Sequence, residues 1–345
     1  MNQTLLRAAV CVLSALTGGA ALSAQTKPYH VVKTIALGGE GGWDYLFADS
    51  AGQRLYVSHA TRVEVVDLIR DTSLGVIPNT PGVHGIAIAP ELGRGFTSNG
   101  RDSTVTIFDV STMATLGTVN VGGRNPDAIV YDPASRRVFT MNGGSGTATA
   151  IDAATGTVAG TVALGGRPEF AAADGRGRIY VNLEDSSAIV SFDARTLRVQ
   201  QRWSLAPCEE PSGLAMDRAN RRLFSGCGNS LMAVSDADAG RVVATLPIGR
   251  GVDANAFDPA TGLAFASCGA DSVLTVVHED DPGHFTVVGN VPTRRGARTM
   301  ALDLLSHRVF LSTAQFGPPP APTPERPRPR PSVVPGSFAV LVLER

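Results

Sequence analysis

From residue 30 onward the chain alternates short apolar runs with clusters of Gly, Pro, Asn and Asp, and the 3.6-residue spacing of an amphipathic helix is almost absent. One phrase recurs: a Gly or Pro turn, a short apolar strand, an Asp-containing turn, then an Arg-rich approach to a second strand. It reads GGWDYLFADSAGQRLYVSH, GVHGIAIAPELGRGFTSNG, NPDAIVYDPASRRVFTMNG, RPEFAAADGRGRIYVNLED, EPSGLAMDRANRRLFSGCG, GVDANAFDPATGLAFASCG and GARTMALDLLSHRVFLSTA, seven copies in all. A third alternating run follows each copy, and a fourth follows the first six. Corresponding positions fall at 44, 84, 127, 169, 212, 253 and 298, at spacings of 40, 43, 42, 43, 41 and 45 residues. Four short strands at that period predict the blades of a β-propeller and exclude a helical solenoid.

The seventh copy has a third strand, SFAVLVLER, at the C-terminus, but no fourth. HVVKTIALGG, residues 30–39, can supply it, and the pairing would close the ring and hide two open sheet edges. The predicted fold class is therefore all-β: a single seven-bladed β-propeller domain over residues 25–345, with a Pro-rich insertion at 314–336 in its last blade.

Ahead of the repeats, MNQTLLRAAVCVLSALTGGAALSAQT has one early positive charge, an apolar stretch from Ala8 to Leu16, and small residues up to Ala24. That is the pattern of a signal peptide over residues 1–24, too short for a membrane span, and it places the mature protein in the periplasm or outside the cell. Three cysteines then remain, in a compartment where disulfides persist. Cys208 and Cys227 flank the first two strands of the fifth copy, so a hairpin would bring them together and pin the Glu209-Glu210 loop. Cys268 is left over, although three cysteines allow three single pairings. The composition is 43% hydrophobic and 18% charged, with a formal net charge of -1 and 6% aromatics, which suits a large core and gives no sign of a nucleic-acid surface.

The second strands carry YVSH, FTSN, FTMN and YVNL. In these the chain resembles the YVTN-type propellers of the YncE-like family, over nearly all of the mature sequence. The resemblance implies an exported seven-bladed propeller and leaves the activity open, since propellers host many functions.

Two sets of recurring aspartates have a structural reading. Asp49, Asp132, Asp174, Asp217, Asp258 and Asp303 end the first strand, and Asp67, Asp109, Asp152, Asp193 and Asp236 end the third, where Asp side chains bond their own turn backbone. The opening of the first strand behaves differently. It is polar in every copy yet varied: Asp44, His84, Asp127, Glu169, Ser212, Asp253 and Arg298. First strands lie nearest a propeller's axis, so this set is expected to line the channel mouth. A lone histidine on an apolar strand is ordinarily a packing residue, but at this position His84 is expected to face the mouth, beside Asp44 and Asp127.

Second-strand ends should return to the same face, adding His59 and Asn99, with Arg101 and Glu184 in the turns beyond. The expected ligand site is thus Asp44, His59, His84, Asn99, Arg101, Asp127, Glu169, Glu184, Asp253 and Arg298. His59 and His84 are candidate ligands for a divalent metal, and Arg298 for a carboxylate, unless the ring is only a charge-balanced channel. The insertion, AQFGPPPAPTPERPRPRPSVVPGS, would either lie across the entrance, with Phe316 and Arg326, Arg328 or Arg330 reaching inward, or form a surface loop. HEDDPGH, residues 278–284, resembles a metal motif but is broken by Pro282 and Gly283, and it reads as a solvated turn.

The function expected is an exported, monomeric propeller that binds a small polar molecule or a protein partner, without nucleic acid and without a membrane span in the mature chain. The alternative is a metal-assisted lyase or hydrolase built on the same residues, with Asp127, Glu169 or Asp253 as base. A third reading is a periplasmic scaffold.

Overall fold

The second strand of every blade carries an aromatic residue two or three positions in, and these residues define the core. Tyr56, Phe96, Phe139, Tyr180, Phe224, Phe265 and Phe310 are all fully buried between blades. Several meet a ring of the same or the next blade, as in Tyr56 with Phe108 at 5.7 Å, Phe139 with Phe192 at 5.3 Å and Phe224 with Phe257 at 5.2 Å. Each buries roughly 2–3 kcal/mol of hydrophobic stabilisation, and the repeat spacing distributes these contacts evenly around the ring.

The computed structural model describes residues 27–323 and 331–345. It contains seven four-stranded antiparallel sheets, with two short 3-10 turns and no α-helix among the described residues. No helix there is long and apolar enough to cross a membrane. Six blades are consecutive along the chain, beginning with Trp43–Asp49, Arg54–His59, Arg62–Asp67 and Ser73–Ile77. The inner strands, Trp43–Asp49, Val83–Ala89, Pro126–Asp132, Pro168–Ala173, Pro211–Asp217, Val252–Asp258 and Met300–Leu302, pack each against the next and close on the first.

Blade seven is assembled from both ends of the domain. His30–Ala36 pairs with Ala339–Glu344, which pairs with Val309–Thr313 and then Met300–Leu302. The predicted closing segment, 30–39, is therefore outermost in the last blade, but its strand stops at Ala36. Gly38 and Gly39 turn to φ +70° and +82°, outside the β region. The predicted signal peptide lies outside the described residues.

The recurrent aspartates make the turns. Asp132 accepts the Ser135 amide at 2.9 Å, Asp217 the Ala219 amide at 2.8 Å, and Asp109 the amides of Ser111 and Thr112 at 2.9 and 2.8 Å. Cys208 and Cys227 form a disulfide across 5.6 Å between their Cα atoms, tying the approach to the inner strand of blade five to the end of its second strand. Cys268 is a buried thiol, pushed up by burial to about 11. The 278–284 segment is a solvated turn only in part: residues 278–281 end one strand and His284 opens the next, with Pro282 and Gly283 making the turn. Glu279 is buried and accepts from Asn220, while His278 pairs with Asp280 and His284 with Asp281.

Candidate functional site: an acidic ring at the channel mouth

Each of the first six inner strands is irregular at its opening. Pairing steps from Trp43 to Leu46, Val83 to Ile86, Pro126 to Ile129, Pro168 to Ala171, Pro211 to Leu214 and Val252 to Ala254, with one more residue consumed than on the second strand. A bulge of this kind turns a side chain out of the sheet alternation. In each blade it holds the varied polar residue: Asp44, His84, Asp127, Glu169, Ser212 or Asp253. The second strand supports the bulge from behind. Ser58 Oγ accepts the Asp44 amide at 2.8 Å and Ser98 Oγ the Gly85 amide at 2.9 Å. Ser98 and Ser267 also donate to the carbonyls of Asp127 and Arg298 in the following blades, and Asn182 donates to that of Ser212 at 3.0 Å. Adjacent blades are thus bonded together at the ring.

The side chains converge in a charged chain. His84 Nδ1 lies 2.5 Å from Asp44 Oδ2 and 3.6 Å from Asp127 Oδ1. Arg298 bonds Asp253 through Nη1, and its Nη2 is 4.0 Å from Asp44 Oδ1. Ser212 donates to Asp253 at 2.8 Å. Arg167 Nη2 donates to Glu169 at 3.0 Å and pairs with Glu184 at 2.8 Å. Arg167 did not stand out in the sequence; it precedes Glu169 by two residues, in the turn that opens the blade.

Crowded, half-buried carboxylates shift each other's protonation. Burial raises Asp127 to about 7, with the Asp44 charge adding and His84 opposing. Burial and the charges of Asp127 and Glu184 raise Glu169 to about 9. Burial lifts Asp253 to about 6, restrained by Arg298. For His84, burial disfavours the cation, but the Asp44 hydrogen bond and the surrounding negative charge outweigh it, and the imidazole is raised to about 9. Two oxygens of the ring, Asp127 Oδ1 and Glu184 Oε2, are buried and accept no hydrogen bond, each having only its ion pair with His84 or Arg167.

Beneath the ring two aromatic side chains reach across the channel. The next position in each inner strand is small in five blades, Gly85, Ala128, Gly213, Ala254 and Thr299, and aromatic in two, Tyr45 and Phe170. Blades one and four are not neighbours, yet Tyr45 and Phe170 meet edge to face at 5.0 Å, so the contact spans the axis. The mouth is a cup with an aromatic floor. Tyr45 is buried among the carboxylates, and burial followed by the charges of Asp127 and Asp44 holds its hydroxyl well above the ordinary tyrosine value.

Three of the residues expected at the mouth do not join the ring. His59 is fully buried, with Nδ1 3.0 Å from Glu64 Oε1 and its ring 4.3 Å from Phe338. It sits opposite Trp43 in regular pairing, and without a bulge its side chain follows the sheet into the core. The candidate metal ligands His59 and His84 therefore belong to different clusters; the donors grouped with His84 are Asp44 and Asp127. Asn99 is also fully buried, held by Thr97, Thr104 and Thr106 at 2.9–3.0 Å, and Asn142 repeats this cage with Thr140, Thr147 and Thr149. Arg101 is exposed and its guanidinium makes no hydrogen bond among the described residues.

No protein-family model and no curated protein matches the chain. Solved structures do. A chain of the hydrazine synthase of Kuenenia stuttgartiensis superposes with a TM-score of 0.71 at 15% identity, over 81% of this chain and 94% of that one. The U3-55K structure gives 0.74 at 10% identity, over 90% and 97%, and a chain of the mitotic checkpoint complex 0.72 at 14%, over 90% and 96%. The likeness is one of fold. The chemistry of this chain rests on its own ring.

The insertion borders the same face. Phe316 and Val333 form a bridge, and Phe316 packs on Trp43 at 6.2 Å between ring centroids. Arg326, Arg328 and Arg330 lie outside the described residues.

Proposed function

We propose that the protein is an exported, YncE-like propeller that binds a small polar ligand bearing positive charge, an ammonium group or a divalent cation, at the mouth of its channel. The observation that carries this reading is the buried Asp127 Oδ1, which accepts no hydrogen bond and has only the His84 ion pair at 3.6 Å, within a ring of carboxylates pushed toward neutrality. Such a ring lowers its energy by taking up protons or another cation. One atom each from Asp44, His84 and Asp127 lie within 4.8 Å of one another. Oxygen donors at about 2.3–2.6 Å from one ion can lie that far apart across it. His84 must release its Nδ1 proton for this, and Asp127 its own, so binding should expel protons and weaken in acid. The export reading is supported by the leader-like first 24 residues and by a disulfide of the kind that persists outside the cytoplasm.

The test is calorimetric titration with calcium, manganese and zinc, and separately with methylammonium, at pH 7.5 in two buffers of different ionisation enthalpy. Saturable binding with a buffer-dependent heat, weakened at least tenfold in Asp127→Asn, is expected. Absence of binding, or binding that survives Asp127→Asn without proton release, would refute the reading. A metal-assisted lyase or hydrolase would use the same cluster, with Asp127, raised to about 7, as a base ready near neutral pH. Turnover by the metal-loaded protein distinguishes it.

A further inference from the structure

A second recess opens on the mouth face, between blades six, seven and one, and its chemistry is opposite to that of the ring. It is a cleft of about 550 Å³, within the size range of small-molecule sites. Trp43 and Phe316 form an aromatic wall, their planes inclined at 49°. Arg295 and Arg298 supply the charge, and no carboxylate lines the cleft among the described residues.

The two arginines are not equivalent. Arg298 is anchored by Asp253 through one terminal nitrogen, which fixes the guanidinium; its Nη2 is 4.0 Å from Asp44, and its other N–H groups make no hydrogen bond among the described residues. Arg295 has neither an ion pair nor a side-chain hydrogen bond among the described residues; its guanidinium rests 5.8 Å from the Phe316 ring centre. A planar guanidinium with unused donors is suited to a carboxylate, and one already placed on an aromatic face loses little freedom in accepting it.

The aromatic wall is seated on glycine. Gly296 has φ +78°, and a Cβ there would come within 2.6 Å of Phe316 Cζ. Phe316 can therefore lie against the backbone of blade seven only because that position is glycine. The result is an aromatic-walled recess with two cations at its edge.

We infer that this cleft binds a single-ring aromatic carboxylate, its ring against Trp43 and Phe316 and its carboxylate on Arg295 and Arg298. The inference does not rest on the cation reading of the ring, because the ligand charge is opposite and the residues differ except for Arg298. Arg295→Gln should remove anion binding alone, and Asp127→Asn cation binding alone.

Benzoate is the probe, titrated into the mature full-length chain at constant ionic strength. The chain has two tryptophans, and Trp203 is buried in blades four and five, so the fluorescence change should come from Trp43. The expected result is saturable quenching that disappears in Trp43→Phe, with calorimetric affinity at least tenfold lower in Arg295→Gln. Benzyl alcohol, lacking the carboxylate, and cyclohexanecarboxylate, lacking the aromatic ring, should each bind at least tenfold more weakly than benzoate. Arg295 is exposed, so an unchanged melting temperature will show that Arg295→Gln is folded. Equal benzoate affinity in folded Arg295→Gln, no saturation up to the solubility limit, or equal affinity for either analogue would overturn the assignment.

Discussion

Replacing Glu169 by Gln should stabilise the protein, and only above mildly acidic pH. Glu169 Oε1 accepts from Arg167 at 3.0 Å, while burial and the neighbouring Asp127 and Glu184 charges hold the carboxyl protonated up to about 9. Gln keeps the acceptor and replaces the acid proton by an amide donor, so it mimics the form the native protein already prefers. In the unfolded chain Glu169 ionises near 4.5. Below that pH both states are protonated and the substitution changes little. Between 4.5 and about 9 the folded state must retain a proton that the unfolded state gives up, which costs folding up to 1.36 kcal/mol per pH unit. At pH 7.5 the interval is 3 units, an upper limit of about 4 kcal/mol; with relaxation and solvent at the mouth, about 2 kcal/mol is expected. For a domain of this size that is a rise of about 4 °C in Tm. The assay is thermal and urea unfolding of wild type and Glu169→Gln from pH 4 to 9. A difference that does not grow with pH, or a destabilised variant at pH 7.5, would refute the argument that burial and the neighbouring charges hold Glu169 protonated.

The remaining predictions concern the frame that holds it. Replacing both Cys208 and Cys227 by Ser reopens a loop of 19 residues and should cost about 3 kcal/mol by chain entropy, read as a lower urea midpoint that matches that of the reduced wild type. Gly213→Ala would place a Cβ 2.6 Å from the Asn255 backbone nitrogen in the next blade. Because backbone cannot yield cheaply, a loss of about 2 kcal/mol or more is expected in urea unfolding, and wild-type stability would show that the inner strands are not in close contact there. Asn142→Ala removes three hydrogen bonds and strands the buried Thr140 hydroxyl, while Thr149 keeps its bond to the Val121 carbonyl. It should cost about 2–3 kcal/mol while leaving cation binding intact, whereas a selective loss of binding would move this position into the site.

The sequence was most informative where a requirement repeats. Turn aspartates, the aromatic residue in each second strand and the 40–45-residue period recur because every blade solves the same packing problem, so seven copies reinforce one reading. The closing strand was legible for a related reason: a blade lacking its outer strand leaves an edge that another segment must cover. The ring positions 44, 84, 127, 169, 212, 253 and 298 stood out because they share a place and differ in chemistry, as one site drawn from several blades must.

The same reasoning misplaced His59 and Asn99, since their repeat position looks equivalent at the level of spacing. Spacing tells that two strand ends lie on one face of the propeller, but not which way each side chain points. That is decided by the bulge at the start of the inner strand, which exists only when two strands are paired, and by the regular pairing of the second strand, which sends its last side chain inward. The Tyr45–Phe170 floor and the meeting of Trp43, Arg295, Arg298 and Phe316 in one cleft likewise join residues from blades far apart in the chain. The sequence by itself determined the blade, its number and its closure, because these follow from local patterns repeated; the charges, floor and walls of the mouth were decided by ring closure, which alone brings unlike repeats face to face.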